Sequence, residues 1–321
     1  MICELCGERR AALTNGACAD CLALLDALSA SEPGTASPPA RTSPAGAPPA
    51  FAALASADFA AGRLLHDKIA IVTGGNRGIG RAIAERMLDH GAHVHVIDIQ
   101  ESNFETLQRY ADARGRHCTQ VVADVTDDAT MRQVVADIGG ENGRIDVLVN
   151  NAGVFHGSRF TEHTRRDWDH QFAVNVTAPF ILSQAVVPWM PPDSGAGIVN
   201  LASVAGKTGS AFNVGYTASK HAIVGLTRAL ALDLAPLGIN VNAIAPGFVD
   251  TDMLKQIVDE LAPLIGNVQP NQMLQGLIES VPQKRLVVPR DVAEMAVFLA
   301  APVSSSITGQ IVNVSGGWLE Y

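Results

Sequence analysis

Residues 69–80 read Ile69-Ala-Ile-Val-Thr-Gly-Gly-Asn-Arg-Gly-Ile-Gly80, and their reading decides the fold. An apolar run suited to a buried strand gives way to glycines, and a helical pattern follows from Arg81 to Leu88. A strand that turns through glycines into a helix N-terminus can hold a pyrophosphate. Missing side chains let backbone N–H groups approach the phosphates, and the helix dipole favours negative charge. The glycines Gly74, Gly78 and Gly80 are spaced G-x-x-x-G-x-G rather than the commoner G-x-G-x-x-G. Alone, such a loop also fits a tight strand-to-helix turn with no ligand.

A second motif, Tyr216-Thr-Ala-Ser-Lys220, stands well downstream. On a helix, residues four apart share a face, one turn from each other. A phenol ordinarily titrates near pH ~10. A neighbouring ammonium favours the phenolate, so Tyr216 is expected to exchange protons near neutral pH. Ser203 closes the apolar run Gly197-Ile-Val-Asn-Leu-Ala-Ser203 just before this motif. An isolated Tyr and Lys at this spacing would mark only an ordinary helix; with the glycine loop and Ser203 they point to proton and hydride chemistry.

Here the chain resembles the short-chain dehydrogenase/reductase family, over residues from about 64 to 321. The landmarks occur in order: Thr73 to Gly80, Asp124-Val125, Asn150-Asn151-Ala152-Gly153, Asn175, Ser203, Tyr216 with Lys220, Pro246-Gly247, and Val312-Asn-Val-Ser-Gly-Gly317. The resemblance implies a doubly wound sheet of seven strands in the order 3-2-1-4-5-6-7. It also implies hydride transfer between a nicotinamide and a carbinol or carbonyl carbon. Tyr216 would then move the hydroxyl proton, Lys220 would lower the Tyr216 pKa and bind the nicotinamide ribose, Ser203 would bond the substrate oxygen, and Asn175 would support a water relay. For the cofactor the family pattern covers Thr73, Gly74, Asn76, Arg77, Gly78, Ile79 and Gly80 in the loop. Asp124 and Val125 would lie beside adenine, Asn151, Ala152 and Gly153 along the centre, and Pro246, Gly247, Val249 and Thr251 at the carboxamide.

Cofactor choice turns on Asp98, which closes His93-Val-His-Val-Ile-Asp98. A carboxylate there accepts bonds from the adenosine ribose and repels a 2′-phosphate, favouring NAD over NADP. Arg77 in the loop pulls the other way, since family members that use NADP often carry a basic residue there; a strand-end turn role for Asp98 is the remaining reading.

Apolar runs with β-branched residues at 69–73, 93–98, 119–123, 145–150, 197–202, 239–244 and 310–314 alternate with helical stretches such as Arg165 to Met190 and Tyr216 to Leu234. Alternation of this kind gives βαβ units and a parallel α/β sheet. The chain is 47% apolar but only 5% aromatic, so Ala, Val, Leu and Ile must fill the core. A net charge of −9 argues against a general nucleic-acid or anionic-membrane surface. No apolar run is read as a bilayer span and no signal peptide as an N-terminal leader, so the cytoplasm is the expected compartment.

The N-terminal fifth differs. Cys3-x2-Cys6 and Cys18-x2-Cys21 are spaced as in a four-thiolate zinc site, in a module spanning residues 1–28. So short a segment cannot build a sufficient core, and metal would supply its folding energy. Two disulfides or idle thiols are the other readings. Residues 29–63, rich in Pro, Ala, Ser and Gly at their start, read as a linker to the catalytic domain at 64–321. The finger's only basic cluster is Arg9-Arg10, a poor footprint for nucleic acid.

Substrate is the least legible property. Asp252 to Pro289 matches the family's variable lid, and Val154, Phe155, His156, Phe248 and Trp318 are candidate pocket walls, with His156 placed to bond a second hydroxyl or to be an ordinary loop residue. The lid looks more like those of polyol, vicinal-diol or acetoin dehydrogenases than those of acyl-carrier-protein reductases. A small alcohol or ketone is therefore expected, with a 3-oxoacyl thioester, or a nucleotide-sensing role delivered by the zinc finger, as alternatives. Family members commonly pair the helices matching 165–190 and 216–234 across a two-fold axis and often form tetramers; the second carries apolar surface enough for a core face and a partner, so a homotetramer is expected.

Overall fold

The run that opens the argument becomes β1 (Ile69–Thr73), buried along its whole length. A computed structural model describes residues 62–319, apart from 193 and 267. The four-cysteine module, and the linker except for its last two residues, lie outside the described residues. Around β1 stand β2 (His93–Asp98), β3 (Cys118–Val122), β4 (Val147–Asn150), β5 (Gly197–Leu201), β6 (Asn240–Pro246) and β7 (Ile311–Val314). All pair in parallel, in the order β3-β2-β1-β4-β5-β6-β7. Each begins and ends within two residues of the apolar run that predicts it.

Successive strand residues point to opposite faces, so an uninterrupted apolar run feeds two cores. Val72, Val96 and Val149 pack with Ile83 and Met87 of α1 (Gly78–Asp89) and with residues near the chain's C-terminal end. Ile71, Ile97 and Leu148 face the other way, towards Met131, Val135 and Ile138. The order reverses between β2-β1 and β4-β5, which opens a crevice at the carboxyl ends of the strands, where α/β sheets bind ligands. Thr73, Asp98, Asn150, Leu201 and Pro246 are the last residues of their strands.

The remaining helices are α2 (Phe104–Asp112), α3 (Asp128–Asn142), α4 (Arg165–Phe172), α5 (Ala178–Val186), α6 (Val214–Leu234), α7 (Asp252–Leu261), α8 (Pro270–Ser280) and α9 (Pro289–Ala300). One expectation needs correction. The single helix predicted from Arg165 to Met190 is interrupted: a π turn, Ala173–Thr177, separates α4 from α5, and a 3-10 turn ends the stretch. Asn175 is buried in that π turn and bonds groups on two other segments. The stretch Arg165–Trp189 is long enough to cross a membrane, and its most apolar 18 residues have a mean hydropathy of 1.3. Its apolarity has a local cause: Val174, Ile181, Leu182 and Val186 pack into the core beneath the sheet.

Candidate active site

The glycine loop leaves β1 at Thr73, whose hydroxyl accepts the backbone N–H groups of Asn151 and Ala152, each at 3.0 Å. The Asn151 side-chain amide donates to the carbonyls of Thr73 at 2.8 Å and Gly74 at 3.0 Å. The β1 and β4 loops are thereby clasped together across the crevice. Gly74 has φ +64°, a left-handed conformation that favours glycine, and a Cβ on Gly80 would stand 2.1 Å from the Gly74 carbonyl oxygen. Arg77 is the N-cap of α1, exposed, and its side chain does not cap the helix. The caps of α3, α4 and α7, by contrast, each accept a backbone N–H through a side chain. Ile79 is half-buried against the core.

Asp98 anchors the far side of this cradle. One carboxylate oxygen accepts the Asn76 N–H and the other the Gln100 N–H, both at 3.0 Å. Asn76 donates its side-chain amide to the Gln100 carbonyl, while its own Oδ1 is buried without a hydrogen-bond partner. A glycine cradle, an uncapped helix N-terminus and an orphaned polar oxygen beside a fixed carboxylate are a fit for a dinucleotide. Ile99, next to Asp98, exposes 64% of its surface. Its apolar side chain is a functional candidate the motif reading passes over, and an apolar residue directly after a strand-closing carboxylate is the signal for it. Asp124 is exposed and binds the Thr126 backbone and hydroxyl, while Val125 is buried beside it. The methyl of Thr251 lies 3.5 Å from where a Gly78 Cβ would stand, so the β6 loop reaches the glycine loop. A Cβ on Gly247, the residue after Pro246, would meet Ser315 Cα at 2.9 Å. Val249 departs from the expectation in one respect: its side chain is buried in the core with Val287, leaving only its backbone for a ligand.

The second half of the crevice gathers Tyr216, Lys220, Ser203 and Asn175. Tyr216 and Lys220 lie on α6, and Ser203 follows β5, its hydroxyl bonded to the Tyr216 phenol and accepting the Ala205 N–H at 3.1 Å. Lys220 Nζ donates to the Leu201 carbonyl at 2.8 Å and lies 5.6 Å from the centre of the Tyr216 ring. Asn175 joins them from the π turn. Its Oδ1 accepts the Val154 N–H at 2.9 Å, and its amide donates to the Val154 carbonyl and the Ser219 hydroxyl, each at 3.0 Å. Gly153 fits between: a Cβ there would meet Asn175 Oδ1 at 3.4 Å and Lys220 Nζ at 3.7 Å. π turns recur at functional sites because the extra residue re-aims backbone and side chain. A helical periodicity cannot reveal one.

Electrostatics correct one expectation. In the chain without a bound cofactor, burial pushes the Tyr216 phenol up, against the opposing bond from Ser203. Burial also pulls the Lys220 ammonium down, to about 8. Desolvation disfavours the charged form of both groups. In the cofactor-free chain Tyr216 is therefore held as the phenol rather than preset as phenolate. Among the candidate walls, Phe155 sets its ring edge-to-face on Tyr216 at 5.2 Å, and Phe248 does the same with Trp318. His156 stands between Asp167 and Glu260, at 3.6 and 3.8 Å.

Residues 74–319 match a family profile described as enoyl-(acyl carrier protein) reductase, designated adh_short_C2. The chain belongs to the short-chain dehydrogenase/reductase family. It is an NAD(P)-dependent oxidoreductase of that family, acting on CH–OH or keto groups. The chain is 38% identical to the oxidoreductase UcpA of Salmonella typhimurium over 254 residues, 79% of this chain and 95% of that one. It is 34% identical to the 3-oxoacyl-[acyl-carrier-protein] reductase FabG of Thermotoga maritima, over 79% of this chain and 98% of that one. The crystal structure of NAD+-bound xylitol dehydrogenase superimposes with a TM-score of 0.75 at 31% identity, covering 79% of this chain and 99% of that one.

Proposed function

We propose that this short-chain dehydrogenase/reductase uses NAD to interconvert a small secondary alcohol and its ketone, the substrate being a polyol, vicinal diol or hydroxyketone. The observation that carries the cofactor choice is the Asp98 carboxylate, held by two backbone N–H groups beside the glycine loop. So held, it cannot swing away from a 2′-phosphate, whereas exposed Arg77 serves either cofactor. A bound nicotinamide would supply the hydride acceptor. In the oxidising direction Tyr216 gives its own proton to the relay of Lys220, Asn175 and water and takes the substrate hydroxyl proton in its place, while Ser203 bonds the same oxygen as charge develops on it. Thr73 to Gly80 hold the pyrophosphate, Asp98 the adenosine ribose, Asp124 and Val125 the adenine edge, and Asn151 to Gly153 the centre. Gly247 and the backbone of Val249, with Pro246 and Thr251, frame the carboxamide.

The polyol reading draws support from His156 and Asp167, which put hydrogen-bonding groups on the loop that carries Phe155 and on α4. The likeness to a xylitol dehydrogenase agrees with it. A 3-oxoacyl thioester is the second reading, favoured by the likeness to 3-oxoacyl reductases. A screen of the full chain against polyols, diols, hydroxyketones and acetoacetyl thioesters, with NAD(H) and NADP(H) followed by absorbance, tests both. Reduction of thioesters alone overturns the polyol reading, and tight NADH binding with no turnover of any substrate would move it to nucleotide sensing.

The proposal extends to assembly and to the N-terminus. Leu232 and Phe180 expose apolar surface on α6 and α5, which suits pairing of these helices in a homotetramer. Cys3, Cys6, Cys18 and Cys21 would hold one structural zinc in a module at 1–28, tethered through 29–63 to the enzyme at 64–321. The compartment proposed is the cytoplasm, where thiolates stay reduced.

A further inference from the structure

The lid helix α7 does more than cover the crevice: it grips the loop that forms the wall beside Tyr216. Glu260 and Gln256 are four apart on α7 and so lie one above the other on one face. Glu260 Oε2 accepts the Gly157 N–H at 2.8 Å. Gln256 donates its amide to the Phe155 carbonyl at 3.3 Å and to Glu260 Oε1 at 2.8 Å, so the two side chains act as one clamp. Between these two backbone groups lies His156, whose Nδ1 is 3.8 Å from Glu260 Oε2 and whose Nε2 is 3.6 Å from Asp167 on α4. The approach is close: a Cβ at Gly157 would stand 2.5 Å from Leu261 Cδ2 and 3.2 Å from the Phe155 ring, so Leu261 would have to shift to admit one. Phe155, 5% exposed, presses its ring edge-to-face on Tyr216.

We infer that Glu260 is a positioning residue for the reaction. Through Gly157 it fixes the Phe155 wall against Tyr216, so that closure of α7 sets the geometry in which the substrate carbinol meets the phenol. The inference rests on Tyr216 being the proton-exchanging group. Nothing in the family motifs supplies this clamp, because it is made by lid residues against a loop that the motifs leave after Gly153.

The test uses the full chain and whichever alcohol the substrate screen returns, with Glu260→Ala, Glu260→Gln and Tyr216→Phe assayed side by side. Releasing the loop lets Phe155 drift, and a displacement of about 1 Å at a reacting centre costs on the order of 10²-fold in rate. Glu260→Ala should lower kcat and raise KM for the alcohol together, with NADH binding by fluorescence titration unchanged. Glu260→Gln keeps an oxygen for the Gly157 N–H and should recover most of the loss. If Glu260→Ala fails to bind NADH, Gln256→Leu provides an independent arm, since it removes the amide that bonds the Phe155 carbonyl and Glu260 and should give the same kcat and KM pattern. Wild-type kinetics for Glu260→Ala, or a Gln variant as impaired as the Ala variant, overturns the inference. An active Tyr216→Phe strikes the proton-exchange reading; a dead one beside an unimpaired Glu260→Ala strikes only this one.

Discussion

Replacing Asp98 with Ser tests cofactor choice and loop architecture in one protein. The wild-type carboxylate accepts two backbone N–H bonds at 3.0 Å and is 9% exposed. Losing an acceptor from a buried donor costs about 1–3 kcal/mol. Water can reach a site at the rim of the crevice, so the lower half of that range applies to each N–H, and a loss of roughly 2–4 kcal/mol in stability follows from the two. For a domain of this size that lowers Tm by about 4–16 °C, at roughly 2–4 °C per kcal/mol. In binding, a hydrogen bond from a ribose hydroxyl to a carboxylate is worth about 1.5–3 kcal/mol, so kcat/KM with NAD should fall roughly 10- to 100-fold. With NADP the opposite change comes from removing a unit charge near a phosphate. At ~6 Å and an effective dielectric of ~20 the repulsion is about 3 kcal/mol per charge pair before salt screening. The ratio of kcat/KM for NAD to that for NADP should therefore drop by at least about 10²-fold. Steady-state rates with both cofactors on one alcohol, together with thermal melts, give the two readouts. A wild type that already prefers NADP, or a variant whose ratio stays within a factor of three of wild type, refutes the role given to Asp98.

Four further outcomes are expected. Tyr216→Phe keeps the ring contact with Phe155 and removes the hydroxyl, so turnover should fall by orders of magnitude with NADH still bound in fluorescence titration. Lys220, with its pKa drawn down to about 8 by burial, binds fewer protons folded than unfolded between that pH and its ordinary value near ~10.4. Its contribution to the stability of the cofactor-free chain should thus rise with pH across that window and be flat below it; denaturant melts of Lys220→Met should lack the rise. Light scattering at micromolar concentration should return a tetramer mass, and a monomer would exclude the pairing of α5 and α6 proposed here. Deletion of residues 1–50 should remove one zinc per chain by metal analysis while NAD binding and activity persist; zinc retained after truncation would refute the four-cysteine ligand set.

The sequence by itself determined the layered fold and most of the cofactor cradle. Runs such as Ile69–Val72 are apolar without interruption because both faces of a parallel strand are buried, and that fact is local to the chain. Gly74 and Gly80 were equally legible, since a left-handed turn and a close carbonyl leave no room for a side chain. The spacing of Tyr216 and Lys220 is a property of one helix and could be read without knowing what surrounds it. Their protonation could not: it depends on how much water the packed crevice excludes, and burial reverses the shift that the sequence suggests for Tyr216. The π turn at Asn175 is likewise tertiary, stabilised by bonds to Val154 and Ser219, which lie 21 and 44 residues away. So is the clamp of Glu260 on Gly157, separated by 103 residues. Periodicity registers which face of an element is apolar, whereas contacts between a lid, a loop and a catalytic ring exist only once the sheet has brought their ends together.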